Sequence, residues 1–180
     1  MLALFFTDEV AEVVVRAPAH GVSAITDEEG YFTLLVPRDA TEGWAEVGVE
    51  AEGARATLPV QVTLSDARFA IVSDIDDTVI ATGAWNIWRN LWTTFTGNTA
   101  SRRVFPDAVD LLRQLSEGGR NPVFFVSSSP WNLHTFLEGI FARARLVRAP
   151  LFLRDLGIGE VQLLSSTHGD HKGSVLDRLL

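Results

Sequence analysis

The sequence predicts an α/β fold, a parallel sheet with flanking helices, preceded by a small all-β sandwich. Three observations carry that prediction. Phe69–Val72 is an apolar run without alternation, the pattern of a strand buried on both faces, and it leads directly into Ser73-Asp74-Ile75-Asp76-Asp77-Thr78. A second apolar run, Pro122–Val126, ends just as abruptly in Ser127-Ser128-Ser129-Pro130. Residues 1–67, by contrast, hold short valine-rich and alternating stretches separated by turns.

Charge divides the chain in the same way. Residues 1–70 carry 12 acidic and 4 basic side chains and so hold the whole net charge of −8; residues 71–180 carry 11 of each. Two domains are expected, 1–67 and 68–180. No basic stripe stands out, which argues against a nucleic-acid partner. The absence of cysteine excludes disulfides and thiolate metal sites. Met1–Phe6 is too short for a signal-peptide core and has no basic residue before it, and no apolar run nears the ~18 residues of a membrane span. A soluble, cytoplasmic protein is expected. Of its 15 basic residues, 14 are arginine and one is Lys172, a compact ammonium suited to a phosphate oxygen.

Within the first domain, Val10–Arg16 reads as a strand. Val22–Thr26 and Tyr31–Val36 read as a hairpin around Asp27-Glu28-Glu29-Gly30. Trp44–Ala51 alternates as a half-buried strand does, and Pro59 marks Ala54–Leu64 as an edge or a bulge. Thr26-Asp27-Glu28-Glu29-Gly30-Tyr31-Phe32 resembles the hairpin of transthyretin-like and carboxypeptidase-regulatory-like sandwiches, which implies a scaffolding or docking role. A Ca²⁺ loop needs more ligands at fixed spacing than Asp27, Glu28 and Glu29 offer, so a solvated turn is expected there.

In the second domain, Trp85, Trp88, Trp92 and Phe95 follow the acidic loop at helical spacing. That stripe fits either core packing or a lid facing a lipid or other substrate; Trp131 is a further lid candidate. Phe105–Gly119 reads as a helix, with Pro106 and Asp107 in its first turn and Gly118-Gly119 at its end. Pro130 suits the first position of a second helix running to about Arg145. Serine hydroxyls at a strand end next to a helix N-terminus would make an anion site. Leu146–Leu153 reads as a third strand, with Pro150 favouring an edge. His168, Asp170 and His171 are too few ligands for a metal site, and Gly157-Ile158-Gly159 is too weak a signal for dinucleotide binding.

Asp74-Ile75-Asp76-Asp77-Thr78, a serine closing the next apolar strand and a downstream lysine resemble the haloacid dehalogenase superfamily of phosphatases. More narrowly, Ser73–Val79, Phe125-Val126-Ser127-Ser128-Ser129-Pro130-Trp131-Asn132-Leu133, Leu153-Arg154-Asp155 and His171-Lys172 are similar to the phosphatidate phosphatase family named for a yeast actin-patch protein. The resemblance covers about residues 69–180. It implies a Rossmann-like parallel sheet and Mg²⁺-dependent hydrolysis of a phosphomonoester, such as the lipid phosphate phosphatidate, through an aspartyl-phosphate. Asp74 would be the nucleophile and Asp76 the acid–base group. Thr78 would orient the loop, and Ser127, Ser128 and Lys172 would hold the phosphoryl group. Mg²⁺ would be held by the Asp74 carboxylate and the Asp76 carbonyl. Residues two apart on an extended segment lie on one side of it, as the paired roles of Asp74 and Asp76 need.

The family continues into a further strand with a Gly-Asp-Ser-Gly-x-x-Asp-Pro-type motif, which this sequence lacks before Leu180. The sequence-level expectation is therefore a fragment or truncated frame with an incomplete metal site. Strand 69–73 would be left as an open edge able to pair with another chain. The rival expectation is a catalytically inactive module that binds a phosphorylated ligand or the periphery of a membrane. Phosphotransfer to an acceptor other than water is a third.

Overall fold

The computed structural model describes residues 10–28, 30–37, 42–80 and 104–154; the side chains of Ser128, Pro130, Asn132 and Arg154 are not part of that description. The chain divides between Ser65 and Asp66 into two units. Its described elements make an α/β protein with one antiparallel sheet, one parallel sheet and two α-helices. No described helix is long and apolar enough to cross a membrane.

In the N-terminal unit, β1 (Val14–Ala17), β2 (Val22–Ile25), β3 (Gly43–Ala51) and β4 (Ala54–Val62) form an antiparallel sheet in the order β2-β1-β3-β4. The tight β3–β4 turn places Glu52 and Gly53 at positive φ (48° and 84°), which glycine adopts without a Cβ penalty. Alternation along β3 turns Val47 and Val49 inward, where they pack with Val15 and Ala17. Pro59 sits in β4, the terminal strand of this sheet, where its missing N–H is tolerated.

The hairpin expected between 22–26 and 31–36 is corrected. Its turn forms: Asp27 Oδ1 accepts the Tyr31 N–H at 2.8 Å, and the Asp27 N–H donates to the Tyr31 carbonyl at 2.8 Å. Residues 31–37, however, join no ladder, and β2 pairs instead with β1, Val14 opposite Ile25. The inward alternation persists without the strand, since Phe32, Leu34 and Val36 pack against the core. A second sheet, as a sandwich would have, is not present among the described residues of this unit.

In the C-terminal unit, β5 (Ile71–Asp74), β6 (Val123–Pro130) and β7 (Leu151–Arg154) are parallel and ordered β5-β6-β7. Helix α1 (Pro106–Ser116) starts with Pro106, whose fixed φ and missing N–H suit a first turn. It ends at Glu117 in the left-handed conformation (φ 46°). Helix α2 (His134–Ala144) closes in a Schellman arrangement, with the Leu146 N–H on the Phe141 carbonyl and Arg145 at φ 54°. Val109 and Leu112 from α1 and Leu137 and Phe141 from α2 pack on Val123, Phe125 and Leu153. The fully buried Phe125 ring meets Phe141 at 5.0 Å.

Two expectations are corrected here. Pro130 does not open a helix: β6 continues through the serines to Pro130, which pairs with Arg154, and a 3₁₀ turn at Trp131–Leu133 precedes α2. The third strand is shorter than 146–153, because Leu146 caps α2 and pairing begins at Leu151.

The start of β5 is pinned by Asn121. Its fully buried amide accepts the Arg68 N–H at 3.1 Å and donates to the Leu115 carbonyl at 2.8 Å. Asn121→Ala would leave both backbone groups without this partner and is expected to cost about 1–3 kcal/mol. Urea denaturation measures that loss.

Candidate active site

The parallel register sets Ile71 opposite Val123 and Asp74 opposite Val126, so the acidic loop leaves β5 beside the serine-bearing end of β6. Ligands gather beyond the carboxyl ends of such strands. The loop holds its own shape. The Ile75 carbonyl accepts N–H groups from Val79 and Ile80, both at 3.0 Å, and from Thr78 at 3.4 Å, while the Asp77 N–H donates to the Ile80 carbonyl at 2.8 Å. Asp77 takes a positive φ of 55°, a conformation aspartate tolerates better than most residues. Ile75, Val79 and Ile80 are completely buried, which anchors the loop from beneath. Asp74 Oδ1 accepts the Ile75 N–H at 2.9 Å.

Asp76 is where the two strands meet chemically. Its Oδ2 accepts the Ser127 hydroxyl at 2.7 Å and the Ser129 hydroxyl at 3.1 Å. The Ser129 N–H in turn donates to Ser127 Oγ at 2.9 Å. Ser127 is fully buried and Ser129 is 8% exposed. Hydroxyl donors to a carboxylate are strong, charge-assisted bonds, and they fix one carboxylate oxygen against the strand end.

The structure thus brings Asp76 and Ser127 into contact, with Asp74 two residues earlier on the same segment. Thr78 is exposed on the outer side of the loop and joins it through its backbone N–H. Trp131 stands just past β6, 42% exposed, its ring 4.6 Å from that of His134. Ser128 contributes no described side chain, and Lys172, Trp85, Trp88 and Trp92 lie outside the described residues, as does the His168–His171 run. Ser129, which the sequence did not single out, belongs to the cluster. Its signal was the period of two: with β6 extended to Pro130, Ser127 and Ser129 fall on one side of a strand.

Asp74 and Asp76 offer hard oxygen donors only, the set that suits Mg²⁺, which takes one or two carboxylates and completes its shell with waters and substrate oxygens. No group of three or more histidine, cysteine, aspartate or glutamate side chains gathers at one point among the described residues. The donors of Asp74 and Asp76 fit a small hard cation shared with a phosphate.

No curated protein matches the chain. A family model described as phosphatidate phosphatase APP1, catalytic domain, matches residues 69–180, more than half of the chain and all of the C-terminal unit from β5 onward. The acidic loop, the serine-ended β6 and the contact between them all lie inside that match, and the chain belongs to this family.

Proposed function

We propose that the chain hydrolyses a phosphomonoester through an aspartyl-phosphate on Asp74, with a lipid phosphate such as phosphatidate as substrate and Mg²⁺ as cofactor. The observation that supports this reading best is the pair of serine hydroxyls on Asp76 Oδ2, which joins an acid–base candidate to a phosphoryl-binding candidate at the ends of adjacent parallel strands. The Asp74 carboxylate attacks phosphorus and the bond to the leaving oxygen breaks as Asp76 delivers a proton to it. Asp76 then takes a proton from the water that attacks the aspartyl-phosphate, releasing inorganic phosphate and restoring Asp74. Ser127 turns its hydroxyl to a phosphoryl oxygen, and Lys172 adds positive charge there, as the family resemblance implies. The Asp74 carboxylate and the Asp76 carbonyl would hold Mg²⁺, which when bound offsets the charge of the phosphate dianion.

On this reading the C-terminal unit is a haloacid dehalogenase-like domain, and the N-terminal unit is an accessory, sandwich-like one. The exposed Trp131 ring just past the serine strand supports a substrate with an apolar part and contact with a membrane periphery.

The test is release of inorganic phosphate from phosphatidate in mixed micelles. Release is expected with Mg²⁺ and is expected to stop when EDTA removes the metal, returning on Mg²⁺ addition. Metal-independent release would remove the cation from the mechanism. Vesicle binding with no release under any metal condition would replace the enzyme with a binding module.

A further inference from the structure

We propose that Ser129 is a positioning residue for Asp76, the group that keeps the acid–base carboxylate in place while Ser127 is engaged with phosphate. This rests on the hydrolytic reading above and deepens it.

A serine hydroxyl has one proton to give. In the structure that of Ser127 goes to Asp76 Oδ2, at 2.7 Å. The same hydroxyl cannot also donate to a phosphoryl oxygen, so the contact between Ser127 and Asp76 must open when a phosphate is held by Ser127. The 3.1 Å bond from Ser129 to the same oxygen does not compete with that event and remains. Without it, a partly buried carboxylate would be left free to rotate at the moment it must face the leaving oxygen, and a small misplacement of a catalytic group costs rate steeply.

Ser129 acts on Ser127 as well. Its backbone N–H occupies a lone pair of Ser127 Oγ at 2.9 Å, which restricts the rotor and leaves the hydroxyl proton two acceptors to choose between: Asp76, or an incoming phosphoryl oxygen. A side-chain replacement at 129 keeps that backbone bond, so the two functions of Ser129 can be separated.

The experiment compares Ser129→Ala and Ser129→Thr with wild type in the full chain, using para-nitrophenyl phosphate with Mg²⁺. Ser129→Ala is expected to lower kcat about 10-fold while KM and the affinity for inorganic phosphate stay within about twofold, and Ser129→Thr to restore most of kcat. A rise in KM with kcat unchanged would make Ser129 a substrate contact and overturn the proposal. Loss of kcat that threonine does not restore, matched by loss of thermal stability, would reduce it to a packing residue.

A second readout does not depend on turnover. The carboxyl ¹³C resonance of Asp76, recorded at one fixed pH, should move in Ser129→Ala and return in Ser129→Thr. An unmoved resonance overturns the positioning contact even in an active enzyme. If wild type releases no phosphate, the hydrolytic reading fails, and the resonance alone then decides whether Ser129 holds Asp76.

Discussion

Asp74→Asn is expected to abolish phosphate release, with a loss on the order of 10⁴–10⁶-fold, while leaving the fold intact. The amide has no charge with which to attack phosphorus, so no covalent intermediate forms. The asparagine carbonyl oxygen can still accept the Ile75 N–H that Asp74 Oδ1 accepts, so the loop keeps its local bond. The bonds among the backbone groups of Ile75, Asp77, Thr78, Val79 and Ile80 do not involve the 74 side chain. A phosphate-release assay and a thermal melt on the same sample separate the two effects. Retention of more than a few per cent of wild-type turnover would remove Asp74 as the nucleophile.

Phe125→Ala carries the largest expected loss of stability, about 3–5 kcal/mol. Phe125 is completely buried, sits in the central strand of its sheet and packs its ring on Phe141 of α2. Its neighbours come from several elements, Leu112, Leu137 and Leu153 among the same cluster, so the cavity left by alanine cannot be closed by the shift of one side chain. The urea midpoint is expected to fall by more than about 1 M. Activity should fall with it, since Ser127 stands two residues along the same strand. A change below about 1 kcal/mol would mean that the helices pack on this sheet far more loosely than the contacts suggest.

The elements most legible in the sequence were those whose signal is a contiguous pattern. The places of Ile71–Asp74 and the start of β6 follow from apolar runs cut off by polar residues, and α1 follows from Pro106 and the spacing of Val109 and Leu112; the burial of the first strand on both faces does not hold, since Phe69 and Val72 are exposed and no β5 residue is fully buried. What was not legible depended on partners distant in sequence. The apolar alternation of Phe32, Leu34 and Val36 correctly marked an inward face, but a strand also needs a neighbour for its N–H and C=O groups, and β1 had already taken β2. Pro130 has two common uses, the first position of a helix and the end of an edge-paired strand segment, and only its pairing with Arg154 decides between them. The same ambiguity concealed Ser129, whose membership of the cluster depends on β6 being extended at that point.

The hydrogen bond from Ser127 to Asp76 joins residues 51 apart, whereas the bonds made within the acidic loop, between residues 74 and 80, span one to five. The loop can therefore assemble from its own chain, but the contact that completes it waits for closure of the whole β5-to-β6 crossover, whose entropic cost grows with its length. During refolding, recovery of the Ser127–Asp76 contact is expected to coincide with formation of the parallel sheet and not with early local structure. A ribosome-bound chain would accordingly carry its carboxylates in a folded turn before it had anything to hold a phosphate against them.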